Sequence, residues 1–367
     1  METKQLSNHQ VGVILSLSII SLKILIFPAV IGRYSLNNCY ISVAVSLLVD
    51  FLFVLLLLYV MKKNPNLTFF KILENKFGVV VAKITGVMLG LFFLLKSVMA
   101  IKELQNYFVQ LLFEDIDWFL FVIPLLALLI YIMSKSLRTF GRSVEFFYYV
   151  IVVGALLSII LPIKEIRSYN LLPFLPDGLS PILKGSFLTA FQYADFLVLL
   201  ICMGNFKYNE KTPKTILKFT LFTDLFLIAF FVVFVAFFGN TVVNQGLAIS
   251  DIPLYSNMAY NNGRLEWLSI IIWTIVLIMQ TGLMLKCASV CVGYVTNIKN
   301  NIVVAFIVSA IDFIILLVFY LNFALAIKIV VSVPFASVVL ALQIVIIVVL
   351  LVASKRRNYE RIVKESV

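Results

Sequence analysis

Apolar runs of roughly 17 to 30 residues, bounded by polar or turn clusters, recur along the whole chain, and each is the length of a membrane-spanning helix. Ten spans are expected, at about 11–32, 39–61, 84–113, 118–134, 144–163, 186–205, 215–238, 265–295, 302–321 and 332–353. The first of them, GVILSLSIISLKILIFPAVIG (12–32), is long enough to cross a bilayer but carries Ser16, Ser18, Ser21, Lys23 and Pro28. A lysine at mid-depth costs about 3 kcal/mol on insertion scales, and the proline removes a backbone hydrogen bond. A broken helix is therefore expected, and irregular backbone at membrane depth survives where protein buries it or where it lines a polar cavity. The alternative reading is a kinked helix whose lysine snorkels to one interface. Between the second and third spans, NLTFFKILENKFGVVVAK places apolar and basic residues at helical spacing, as in an amphipathic interfacial helix or a passive connector.

Ten spans divide into two sets of five, and an odd number per set inverts the second set in the membrane. The expected architecture is an all-α membrane protein with one polytopic domain over residues 1–367, its repeats running about 11–163 and 186–353. It is a LeuT-like 5+5 inverted repeat with broken helices 1 and 6. Span 6, the counterpart of span 1, reads SFLTAFQYADFLVLLICMGNF and sets Gln192, Tyr193 and Asp195 among apolar residues. Spans 2 and 7 match through Asp50 and Asp224.

Composition agrees with this plan. Hydrophobic residues make up 62% of the chain, charged residues 13%, and mean hydropathy is +1.09, values outside the range of soluble domains. The net charge of +11 sits in short loops and not on one polar surface, which argues against nucleic acid and for membrane orientation. With the N-terminus inside, loops and tails on the cytoplasmic side hold 19 Lys and Arg against 6 on the other, so both termini are expected in the cytoplasm. The first span is too long for a cleavable signal peptide and lacks a small-residue cleavage site. Cys39, Cys202, Cys287 and Cys291 lie in or beside apolar stretches, and neither they nor the lone His9 belong to a metal or redox motif.

Ionisable residues within the expected spans are Lys23, Asp50, Lys96, Lys102, Glu103, Asp195, Asp224, Lys286 and Asp312. Such residues either line a functional path or pair with one another. Lys96 and Glu103 share a helix face, and Glu103, Gln105 and Asn106 form a polar belt. Gln280 and Lys286 interrupt span 8, a 31-residue run that requires tilt or extension beyond the bilayer. Ser309 and Asp312 suit packing. Lys23 and Asp195 occupy equivalent breaks, where free half-helix ends present N–H groups to an anion and carbonyls to a cation, a pairing that suits a zwitterionic amino acid. The two either pair across a shared cavity, or Lys23 snorkels while Asp195 pairs with Lys96 or Lys286. The candidate ligand-binding set is Ser18, Ser21, Lys23, Gln192, Tyr193, Asp195 and Gln280. No nucleotide loop, nucleophile with a base, or cofactor motif occurs, so catalysis is unsupported.

Several of these stretches carry a resemblance: the Gln10-led first span with Pro28, the loop NLLPFLPDGLSPILKGS (170–186), the span 6 run FQYADFLVLL, Arg264, Glu266 and Trp273 at span 8, and the terminal KRR. The chain resembles the B subunits of Ger-type spore germinant receptors, the endospore germination permeases of the amino acid/polyamine/organocation transporter superfamily. The resemblance implies a LeuT-like fold, a small germinant such as an amino acid, the spore inner membrane or cell membrane, and A-type and lipoprotein C-type partner subunits. Relatives have Gly-x-Gly where this chain has Ser21, Leu22 and Lys23, and a glycine then a glutamate where it has Tyr193 and Asp195. A working amino acid permease and a ligand-blind scaffold use the same fold, so the sequence leaves all three readings open.

Overall fold

The computed structural model describes residues 5–25, 27–111, 117–255, 265–321 and 323–365. Among them the secondary structure is helical, apart from one isolated backbone bridge between Leu6 and Phe206. The first half holds α1 (Asn8–Ile20), α2 (Phe27–Ser35), α3 (Cys39–Lys63), α4 (Phe69–Phe77), α5 (Val79–Leu111), α6 (Trp118–Ser134) and α7 (Leu137–Ile160). The second holds α8 (Ser180–Leu188), α9 (Leu197–Cys202), α10 (Lys211–Phe238), α11 (Ala248–Tyr255), α12 (Leu265–Thr296), α13 (Asn301–Leu321), α14 (Phe323–Val330) and α15 (Val333–Glu365).

Seven helical runs among the described residues are long and apolar enough to cross a membrane: Phe27–Lys63, Phe69–Val109, Leu137–Ile160, Lys211–Asn244, Ile270–Thr296, Asn301–Tyr320 and Val333–Ser354. Asn8–Ile24 and Trp118–Ser134 are apolar but shorter. The stretch expected as span 6 is two short helices, α8 and α9, with residues 189–196 in turns between them. Length and composition thus give seven spans against the ten expected, the difference lying in the two short helices and the split one. The distribution of polarity suits a bilayer, because large apolar side chains such as Leu48, Leu120, Phe146 and Leu225 are exposed, whereas Lys23, Asp50, Lys96, Glu103, Asp195 and Asp312 are buried.

α1 begins at a capping box, in which the Ser7 hydroxyl accepts from the Gln10 backbone N–H and the Gln10 amide oxygen accepts from the Ser7 N–H. The Gln10 amide nitrogen donates to Glu145 of α7 at 2.9 Å, and the Leu6 N–H donates to Asn205 O at 2.8 Å, which ties the start of the chain to the segment after α9. Further on, α1 tightens into a 3-10 turn (Ser21–Ile24) and leaves helical geometry at Leu25, φ −97° and ψ −108°. The freed Leu25 carbonyl accepts from the Ala248 N–H at 3.1 Å. A broken span must find such substitutes for its lost ladder bonds. Pro28 is not the cause of the break: it lies in the first turn of α2, where its missing N–H costs nothing.

α12 packs along α5 over much of its length, and α1 packs against α10 and α7. Both contacts need small residues. A Cβ on Gly90 would stand 3.4 Å from Cys291, one on Gly86 3.0 Å from Val295, and one on Gly12 would overlap the Phe219 ring. The 66–83 stretch is helical as α4, which packs on α5; its Phe69, Phe70, Ile72 and Leu73 are buried while Lys71 faces outward.

Candidate functional site

The two breaks meet. Asp195 sits in the turns between α8 and α9, and its carboxylate is buried at 1% exposure among groups from three other places in the chain. Lys23, from the 3-10 turn after α1, donates to Oδ2 of Asp195 and also to the Ile19 carbonyl at 2.8 Å. Lys96, from α5, donates to Oδ1 at 2.8 Å and to the Gln192 carbonyl at 3.3 Å. The Ser18 hydroxyl donates to Oδ1 at 2.9 Å.

The expected alternatives, in which Asp195 pairs with Lys23 or with Lys96, are therefore replaced by a three-centre arrangement in which it takes both. The physical reason is the two-faced carboxylate, which accepts from two cations at once where two buried ammonium groups would otherwise repel. Lys23 does not snorkel: it is buried, and its ammonium stands 5.2 Å from the centroid of the Tyr193 ring. Lys96 likewise lies near the Phe92 and Phe191 rings, at 5.6 and 5.9 Å.

The remaining candidates fall into two groups. Gln192 and Tyr193 share the second break with Asp195, but Gln192 Oε1 and the Tyr193 hydroxyl are buried without a hydrogen-bond partner. Ser21, beside Lys23, also has an unpartnered hydroxyl. Gln280 is buried in α12 with both amide atoms unpartnered, and no bond joins it to the Asp195 carboxylate. Asp50 and Asp224 are buried within reach of the charges of Lys23 and Asp195. Among these five residues two ammonium groups face three carboxyls.

The other intramembrane charges are separate. Lys286 does not join Asp195: its ammonium donates to the Met133 and Lys135 carbonyls, each at 2.6 Å, and so satisfies the end of α6. Asp312 accepts from Ser97 at 2.5 Å. Gln105 accepts from Lys102 at 2.8 Å, and Glu103 lines a cavity of about 30 Å3 with Thr189 and Gln192, so the belt on α5 divides between a local bond and the wall beside the second break.

Sequence reasoning missed the docking of the loop at 170–178. Asn37 donates to Leu172 O at 3.4 Å, Asn38 donates to Pro173 O at 3.3 Å, and Asn38 Oδ1 accepts from the Leu175 N–H at 3.4 Å. Asn170 donates to Ala236 O at 2.9 Å. The signal was present as the adjacent Asn37 and Asn38 between two apolar runs, side chains able to donate and accept at one turn.

A family model described as spore germination protein matches residues 5–324. The chain belongs to the spore germination protein family. A comparison with curated proteins gives no match. The family match contains both helix breaks, the Asp195 cluster and the docked loop, and ends before α15. Of the other stretches that carried the resemblance, Trp273 is buried, whereas Arg264 and the side chains of Glu266, Lys355, Arg356 and Arg357 lie outside the described residues.

Proposed function

We propose that this chain is the transporter-fold, ligand-sensing subunit of a spore germinant receptor. The observation that carries the reading is the meeting of two broken helices at one buried charge cluster, Lys23–Asp195–Lys96, in a chain of the spore germination protein family. Counting the short helices Asn8–Ile24 and Trp118–Ser134 and the split pair α8 and α9 with the seven long runs gives ten crossings, arranged as two inverted sets of five. Both termini are then cytoplasmic, and A-type and C-type subunits are the partners.

The cluster is the internal counterpart of an amino acid. Its ammonium and carboxylate hold the ground between the breaks that a zwitterion's two charges suit. A small germinant acts by binding next to this set and shifting the balance between two packings of the broken spans, which requires different affinities for the two. The test is germination of host spores carrying Lys23→Met or Asp195→Asn in place of this chain, scored over an amino acid panel. Altered germinant dependence at normal receptor level supports the reading, and an unchanged response refutes it. Uptake of labelled amino acid by proteoliposomes holding this chain alone favours a working permease instead.

A further inference from the structure

A second space with a polar wall borders Tyr193 and opens outward at the exposed Val49 and Leu183. It measures about 200 Å3 and is bounded by α3, α8, the second break and α15. Its polar wall consists of Asp50, Ser46, Ser186, Tyr193 and Gln343, and Val49, Leu183 and Leu340 are among its apolar lining. Asp50 is 3% exposed and its Oδ1 has no hydrogen-bond partner. The Tyr193 hydroxyl has none either. By contrast, the two serines bond to each other at 2.7 Å, and the Gln343 amide nitrogen donates to Ala190 O at 3.4 Å.

A buried carboxyl without a donor is costly, by several kcal/mol when ionised, so it either holds a proton or takes a cation or donor against it. Lys23 and Lys96 act on it only through space, because both bond to Asp195. Size then decides what fits. The space beside Glu103, about 30 Å3, has room for water only, whereas about 200 Å3 exceeds the roughly 150 Å3 cavity that admits benzene. We infer that the Asp50 cavity is a binding site for a small primary ammonium compound of about five or six heavy atoms, its charge on Asp50 and its apolar part against Val49, Leu183 and Leu340. The Tyr193 hydroxyl and the Ser46–Ser186 pair supply the remaining polar contacts. Tyr193 also carries the Lys23 ammonium over its ring, so occupancy of the cavity bears directly on the side chain that supports the cluster.

The test reads binding and not germination, so this site and the receptor reading fail independently. Purified full-length protein in nanodiscs of phosphatidylglycerol, a lipid without an amine, is titrated with n-butylammonium, and with n-butanol as the neutral control. Butylammonium binds and butanol binds more weakly; Asp50→Asn weakens butylammonium by about thirtyfold or more, as truncating one side of a buried charge pair does. Ala190→Leu, which fills the cavity without changing charge, weakens it too. In the unmutated protein butylammonium also slows modification of Asp50 by dicyclohexylcarbodiimide, read by mass spectrometry, and leaves Asp312 unprotected. That measurement keeps the inference falsifiable should Asp50→Asn not fold. Absence of butylammonium binding, equal affinity in Asp50→Asn, or no protection of Asp50 each overturns it.

Discussion

Lys96 donates to the oxygen of Asp195 that Lys23 leaves free, so one carboxylate from the second half of the chain is held by two ammonium groups from the first. This relationship changes what substitutions do. Asp195→Ala leaves two buried cations without their hydrogen-bonded partner and is expected to be the most damaging single change, by about 3–5 kcal/mol. Lys23→Ala and Lys96→Ala each leave Asp195 one partner and cost less. Combining Lys23→Ala with Asp195→Ala does not restore stability, because Lys96 is still orphaned, whereas Lys23→Met, Lys96→Met and Asp195→Leu together recover most of it. Thermal unfolding of the detergent-solubilised variants checks the order.

Sodium has no vacant role beside a carboxylate already held by two ammonium groups. Germination through this chain is expected to proceed equally when potassium replaces sodium in the medium. A response that requires sodium would show that the cluster does not substitute for a coupling cation.

Packing of α5 on α12 relies on Gly86 and Gly90. Gly90→Leu should lower the level of folded protein, measured by size-exclusion chromatography, with little change in ligand concentration dependence for the fraction that folds. The Gly12 contact is tighter: Gly12→Ala collides with the Phe219 ring, and Phe219→Leu in the same chain should recover part of the loss, read as melting temperature.

The loop at 170–178 is fastened to the turn before α3 by Asn38, which makes two of its bonds. Asn38→Ala removes both, at about 1 kcal/mol each. Hydrogen exchange at Leu175 is expected to rise while exchange within α3 stays the same.

Charge asymmetry gives the fifth expectation. A reporter fused after Val367 scores cytoplasmic, from 19 basic residues against 6. An extracytoplasmic score overturns the orientation together with the inverted repeat.

Much of the fold was legible in the chain because membrane helices announce themselves by length and apolarity, and the breaks because Lys23 and Asp195 violate that rule. Less visible was the cause of the first break, attributed to Lys23 and Pro28 together, although the chain leaves helical geometry at Leu25 and the proline starts the next helix. A pairwise reading of Lys23 and Asp195 missed the joint role of Lys96, since spacing within α5 fixes a face but not which distant residue it meets. Gln280 was grouped with the site on its polarity alone, and both its amide atoms are buried without a hydrogen-bond partner. Lys286, similarly conspicuous, closes the end of a neighbouring helix. The Asp50 cavity was not legible at all, because Gln343 and Asp50 are brought to one space only by tertiary packing.

The backbone bond from Leu6 to Asn205 joins the head of the first broken span to the tail of the second, at the end of each farthest from α2 and α8. A bond there acts as a hinge pin. It restrains the two spans at that end, and at the other Gly185 lets α8 approach Ser35 and Ser42 closely. Together with the Asn8 side chain on Asn209, the Leu6 bond makes the N-terminal end of α1 and the loop after α9 one mechanical unit.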